Sequence, residues 1–173
     1  KGGVVYGVGY VDHFRVAHKR ATTKSQCTEF KGSKYVQSDL TGVFRNVKED
    51  LSKGYTVLFS GTPCQTAGLN AYVGSKLREN LFLADIVCHG VPSPYIWRDY
   101  INYLELKHND KICWVNFRDK NEFGWTAHIE TVKFNRNPDF KIANSLYTFL
   151  FYEHIMFRDS CASCKYTNLS RPS

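Results

Sequence analysis

The run Val57-Leu58-Phe59-Ser60 breaks at Gly61-Thr62-Pro63, and Cys64 follows where a helix of about Gln65 to Val73 can begin. An apolar, β-leaning segment that meets a Gly-Thr-Pro turn reads as a strand, a tight loop and a helix. The cysteine sits at the tip of that elbow. A helix amino terminus carries partial positive charge and unpaired N–H donors, so it favours a thiolate and can face a phosphate or a cluster sulfide. Taken alone, Cys64 would be read as a small buried hydrophobe at a turn. Other cysteines at turns shift that balance.

The same order recurs downstream. A strand over Leu81 to Val87 runs into Cys88-His89-Gly90-Val91-Pro92, and Ser93 and Pro94 then supply an N-cap and a first-turn proline for a helix to about Lys107. Ile96, Trp97, Tyr100, Ile101 and Leu104 fall on one face of it, spaced as a core stripe. Strand, cysteine loop and helix, repeated, predict α/β layering with parallel strands, and such sheets place their sites beyond the strand carboxyl ends. Cys64 and Cys88 are therefore expected on one edge of a sheet.

The flanking segments complete the expected architecture. Val4 to Val11 and Phe14 to His18 read as a hairpin turning at Asp12-His13. Gly32 to Asp39 is polar and turn-rich, suited either to a phosphate held by backbone N–H groups and Lys34 or to a solvated loop. Asp39 or Thr41 is expected to cap a helix reaching Ser52, with Gly54 as its stop. Strands are expected at Ile112 to Arg118, Thr126 to Phe134 and Phe140 to Ile142, and a last helix at Leu146 to Met156. The fold expected is α/β: a largely parallel or mixed central sheet with flanking helices, an amino-terminal β-hairpin and a more β-rich carboxyl-terminal part.

The 173 residues suffice for one domain with a sizeable core, and 15% aromatic residues exclude disorder as the default state. Twenty-three Lys and Arg against 16 Asp and Glu leave a formal charge of +7, which favours acidic partners. His18, Lys19, Arg20, Lys24, Lys31 and Lys34 are expected to form a basic face, either a solvated surface or the border of a site for a phosphate-bearing ligand. Nucleic acid is disfavoured as a partner, because these residues are not interleaved with a DNA- or RNA-binding signature. No apolar run reaches membrane-spanning length. The chain opens at Lys1 directly on a strand and closes at Arg171-Pro172-Ser173, so residues 1–173 are expected to be a single-domain piece of a longer protein.

Of six cysteines, Cys27 and Cys113 stand in ordinary surroundings, whereas Cys64, Cys88, Cys161 and Cys164 stand at turns, separated by 23, 72 and 2 residues. Four thiolates suit an iron-sulfur cluster or a structural zinc. Zinc sites commonly use two local C-x-x-C pairs, and here one half is split between two loops, which ranks cluster over zinc over thiol catalysis. His89 can bond a cluster sulfur or a flavin, or serve only as a turn residue. No Ser-His-Asp spacing, Walker loop or G-x-G-x-x-G fingerprint occurs.

The blocks Gly2-Gly3-Val4-Val5-Tyr6-Gly7, Gly32 to Ser38, Leu58 to Gln65, Cys88 to Ser93, Phe117 to Lys120 and Cys161-x-x-Cys164-Lys165, in this order, resemble the beta-subunit family of coenzyme F420 hydrogenases and dehydrogenases. The resemblance implies an iron-sulfur flavoprotein that passes electrons between a 4Fe-4S cluster and FAD, and on to a deazaflavin or another small acceptor. It carries the cluster ligands onto Cys64, Cys88, Cys161 and Cys164. It places Ser33, Lys34, Gln37, Ser38, Thr62 and His89 near the flavin. It also implies a cytoplasmic protein served by a ferredoxin-like segment or subunit, which is missing here, as is the acidic block that follows in the family. A fragment of this kind is expected to be inactive by itself. A zinc- or cluster-stabilised binding module without turnover is the competing class.

Overall fold

The computed structural model describes residues 2–137, 139–143 and 145–166. Seven strands are described: β1 (Gly3–Val11), β2 (Arg15–Ala21), β3 (Thr56–Gly61), β4 (Leu81–Asp85), β5 (Ile112–Asn116), β6 (Thr131–Phe134) and β7 (Lys141–Ala143). Six α-helices are described with them: α1 (Val43–Ser52), α2 (Pro63–Val73), α3 (Pro94–His108), α4 (Lys120–Phe123), α5 (Leu146–Tyr152) and α6 (Asp159–Ala162).

The first sheet runs β2-β1-β3-β4. β1 pairs antiparallel with β2, Gly7 opposite Lys19, and parallel with β3, Val5 opposite Leu58. β4 then adds parallel to β3, with Phe59 opposite Leu83. The sheet is therefore mixed, a hairpin fused to a parallel unit. β5, β6 and β7 form a separate antiparallel sheet in sequence order, with a register shift between Ile112 and Trp114.

The buried residues form two cores, and the second also takes in Val16 of the first sheet's β2. Val47 and Leu51 of α1 and Leu69 and Val73 of α2 cover Val4, Tyr6, Val57, Phe59 and Leu81 of the first sheet. Deep in this layer Tyr6 donates to Asp50 Oδ2 at 2.7 Å, and Arg20 reaches the same carboxylate through two N–H groups at 2.7 and 3.0 Å. Burial alone would raise Asp50, but these donors outweigh it and hold the carboxyl below its ordinary range. The second core gathers Trp97, Ile101 and Leu104 of α3 with Ile112, Val115, Phe117, Val132 and Phe134, and with Tyr147 and Phe151 of α5.

Three helices end by one device. At Gly54, Asn109 and His154 the backbone turns left-handed, with φ of 80°, 47° and 60°. The residue after each donates back across the end: Tyr55 to Asp50, Asp110 to Glu105 and Ile155 to Leu150, all at 3.1–3.2 Å. This is the Schellman arrangement, which glycine adopts without strain. Gly54 is legible as a stop for that reason. Asn109 and His154 are not, and α5 ends at Tyr152 rather than at the expected Met156.

Other boundaries also move. α1 begins at Val43, with left-handed Gly42 before it, because Asp39 is spent on the Thr41 N–H (2.8 Å) and on Arg15 (2.9 Å). β4 stops at Asp85. Ile86 donates its N–H to Gly61 at 3.0 Å as the chain leaves the sheet, and the apolar Ile86 and Val87 stand 52% and 79% exposed. β6 holds only Thr131–Phe134 of the expected 126–134 run. The carboxyl terminus from 167 on lies outside the described residues.

Candidate metal centre

Cys64 lies in the first turn of α2, after Thr62 at the N-cap and Pro63 at the first helical position. Gln65 Oε1 accepts the Thr62 N–H at 3.0 Å, satisfying one of the donors a helix start leaves open. The Thr62 hydroxyl is 3.2 Å from Cys64 Sγ. Cys88 follows the next parallel strand, so the two thiols leave adjacent strands at the same carboxyl edge. The Ile86-to-Gly61 bond joins the two exits.

Cys161 and Cys164 arrive from the other end of the chain, on and just after α6. Their segment is docked onto the Cys88 loop. Pro92 and Phe157 pair as an isolated antiparallel bridge, and Arg158 donates its N–H to Val91 at 3.1 Å. Gly90 (φ 138°) packs under the Phe157 ring so closely that a Cβ there would overlap it. Gln37 closes the arrangement: its N–H bonds Pro92 at 3.2 Å, and its side chain accepts from the Arg158 guanidinium.

Cys88 feels the other three turn cysteines. Burial pushes Cys88 above its ordinary range, the Gly90 N–H on its sulfur pulls it back, and charge on Cys64, Cys161 and Cys164 pushes it up again. Cys27 and Cys113 have no part in this. Cys27 lines a depression with Gly3, Thr56 and Leu58, at the opposite end of β1 and β3 from Cys64, and Cys113 is exposed on β5. Among the described residues no three His, Cys, Asp or Glu side chains are closed up tightly enough to hold a metal ion. The donor set remains four thiols, Cys64 and Cys88 at one sheet edge and Cys161 and Cys164 on the segment docked against it. Its chemistry is that of all-cysteine ligation.

The residues expected near a flavin scatter more. Gln37 and Thr62 border the cysteines through the contacts just given. His89 is exposed, its ring 6.5 Å from that of His154, which stacks on Phe157 at 5.0 Å. Ser33 is exposed in its loop. Lys34 is turned back on its own segment, its amine on the Glu29 and Lys31 carbonyls at 3.1 and 2.9 Å, and burial lowers it to about 8. Ser38 is buried and bonds His18 Nδ1 at 3.0 Å.

The expected basic face is correspondingly reduced. His18 is not a surface cation: it is 7% exposed, stacked on Phe59 at 4.8 Å, and burial lowers it to about 4. Arg20 is held by Asp50 and Lys19 by Glu29. Sequence reasoning missed His18 and Gln65 as partners of the elbow. Gln65 carried a signal, since a threonine followed three residues later by glutamine is a capping pair.

Known proteins resemble this chain in sequence and in fold. The family model for the carboxyl terminus of the coenzyme F420 hydrogenase/dehydrogenase beta subunit matches residues 54–173, which include all four turn cysteines. No curated protein matches the chain by sequence. A solved structure of the F420-reducing NiFe hydrogenase complex from Methanosarcina barkeri, derivatised with xenon, contains a chain similar in fold. The TM-score is 0.58 at 17% identity, over 96% of this chain and 55% of that one. This chain thus spans little more than half the length of that relative. No helix among the described residues is long and apolar enough to cross a membrane. With the elbow, the Cys88 loop and the terminal C-x-x-C inside the matched residues, the chain belongs to the coenzyme F420 hydrogenase/dehydrogenase beta-subunit family, of which it carries the carboxyl-terminal region.

Proposed function

We propose that this chain is a redox module in which Cys64, Cys88, Cys161 and Cys164 hold a 4Fe-4S cluster that exchanges electrons with FAD, and through it with a deazaflavin or another small acceptor. The observation that carries the reading is geometric: the segment bearing Cys161 and Cys164 is docked on the Cys88 loop, which leaves the sheet beside the Cys64 elbow. When bound, the cluster supplies one-electron chemistry that no side chain here can perform.

The residues themselves do the holding. Cys64 presents its sulfur in the first turn of α2, after the Thr62 N-cap. The Gly90 N–H steadies Cys88. The Pro92–Phe157 bridge and the Arg158–Gln37 contact hold the Cys161 and Cys164 segment against the sheet edge. Gln37, Thr62 and His89 line the approach to that edge and are the side chains offered to a flavin. Because the complex in the structural relative reduces F420, a deazaflavin is the acceptor to test first.

Anaerobic purification of the full-length protein tests the assignment. A flavin absorption band with a broad iron-sulfur shoulder, and iron and sulfide on analysis, is the expected result. A colourless protein containing zinc would overturn it and favour a metal-stabilised binding module.

A further inference from the structure

Beneath the Cys64 elbow runs a buried chain of hydrogen bonds that the cluster reading does not use. His18 Nε2 bonds the Ser60 carbonyl at 3.0 Å, so it carries the ring proton and donates. His18 Nδ1 is left as an acceptor and takes the Ser38 hydroxyl at 3.0 Å. Ser38 Oγ accepts from Gln65 Nε2 at 3.0 Å, and Gln65 Oε1 accepts the Thr62 N–H at 3.0 Å. The donors and acceptors match in one direction from end to end, which selects a single tautomer of a neutral histidine. His18, Ser38 and Gln65 are all buried.

The chain ties four separate pieces of backbone to one point. His18 is on β2, Ser60 on β3 and Gln65 on α2. Ser38 is held beside β2 by the Ala17–Asp39 bridge, with Asp39 donating to Val16 at 2.9 Å and His18 donating to Asp39 at 3.0 Å. Gly61 is what lets Gln65 in: a Cβ there would come within 3.0 Å of Gln65 Oε1 and 2.9 Å of the Phe59 ring. At the far end the Thr62 hydroxyl meets Cys64 Sγ. A sulfur that ligates metal has lost its proton, so in that state the hydroxyl is the donor.

We propose that Thr62 tunes the metal centre by donating its hydroxyl to Cys64 Sγ, and that Gln65, Ser38 and His18 are the positioning residues that hold it there. This rests on the cluster reading. A hydrogen bond to a ligating sulfur withdraws charge from it and stabilises the more negative, reduced state, which raises the reduction potential. The β-branched side chain of Thr62 has few χ1 choices, so fixing its backbone also aims its hydroxyl.

The test is an EPR-monitored redox titration of the full-length protein reconstituted with iron and sulfide. Thr62→Val is expected to shift the reduction equilibrium about tenfold toward the oxidised state, about 59 mV for one electron, at unchanged iron content. Thr62→Ser, which keeps the hydroxyl, is expected to hold the wild-type potential. Ser38→Ala, which leaves Thr62 and every thiol in place, is expected to shift it part of the way. A loaded Thr62→Val protein at the wild-type potential overturns the proposal and leaves the cluster reading standing. If Thr62→Val fails to load, Ser38→Ala decides, and a wild-type potential there overturns the relay. Wild-type protein that takes up no iron overturns the cluster reading and this proposal with it.

Discussion

The Phe157 ring occupies the space that a side chain on Gly90 would need, and this contact locks the Cys88 loop to the segment that carries Cys161 and Cys164. Phe157 also packs on Phe151 at 5.0 Å and on His154 at 5.0 Å, so the ring is anchored in the second core while it touches the edge of the first sheet. Gly90, at φ 138°, is the one residue type that allows both the approach and the backbone turn.

Gly90→Ala is accordingly expected to destabilise the protein by about 1–3 kcal/mol from backbone strain, with overlap on Phe157 added. It should also lower iron uptake, since the terminal thiols would be held farther from Cys88. Thermal denaturation and iron-to-protein ratios measure the two effects. The double variant with Phe157→Ala should lose less stability than the sum of the two single losses, because the overlap is then gone and the strain is not.

Serine replacements separate the six cysteines. Changing Cys64, Cys88, Cys161 or Cys164 singly is expected to cut iron retention by more than about tenfold. Cys27→Ser and Cys113→Ser should keep wild-type iron, since the first lies at the far end of the sheet and the second is exposed on β5. Loss of iron in the Cys27 variant would mean that the wrong end of the sheet has been assigned.

His18 makes stability depend on acid. Its folded value of about 4 lies below the roughly 6.5 of an unfolded histidine, so between those values the unfolded chain binds more protons. The stability from a neutral His18 is fully present above about pH 6.5 and is lost as pH falls through 4, by an amount on the order of 3 kcal/mol. Urea denaturation of the metal-free protein from pH 7 to pH 4 should show this slope. His18→Gln should flatten it.

Glu130 acts in the opposite sense. Burial holds its carboxyl above the ordinary range, and the Ser145 and Thr148 hydroxyls that donate to it only partly offset this. A raised folded value means that its favourable contribution is present below about pH 4.3 and is lost as pH rises through the folded value. Glu130→Gln keeps an acceptor for both hydroxyls and removes the charge. It should be more stable than wild type at pH 8, with the difference closing toward pH 4. Equal stabilities at both pH values would show that the carboxyl is ionised in the folded protein without cost.

Much of the local framework was legible in the sequence because its causes are local. Ser93 and Pro94 start α3, the Gly-Thr-Pro turn starts α2, and Gly54 ends α1; each acts within a few residues of itself. The period of Trp97, Ile101 and Leu104 marks a buried face whatever that face meets. The strand-loop-helix repeat likewise placed Cys64 and Cys88 on one edge, because parallel neighbours must leave the sheet in the same direction. What only the tertiary structure decided are the relations between distant residues: that β1 lies between β2 and β3, that a second sheet shares a core with α3, α5 and Val16 of β2, and that Phe157 brings Cys161 and Cys164 against Gly90. The protonation of His18 belongs here too. Beside Lys19 and Arg20 in sequence it reads as one more cation, but the sheet puts it under Phe59 with a carbonyl and a hydroxyl to satisfy both nitrogens, and burial without a counter-charge leaves it neutral. Spacing along the chain reports which face a residue occupies. What covers that face depends on partners dozens of residues away, and those are chosen only when the layers pack.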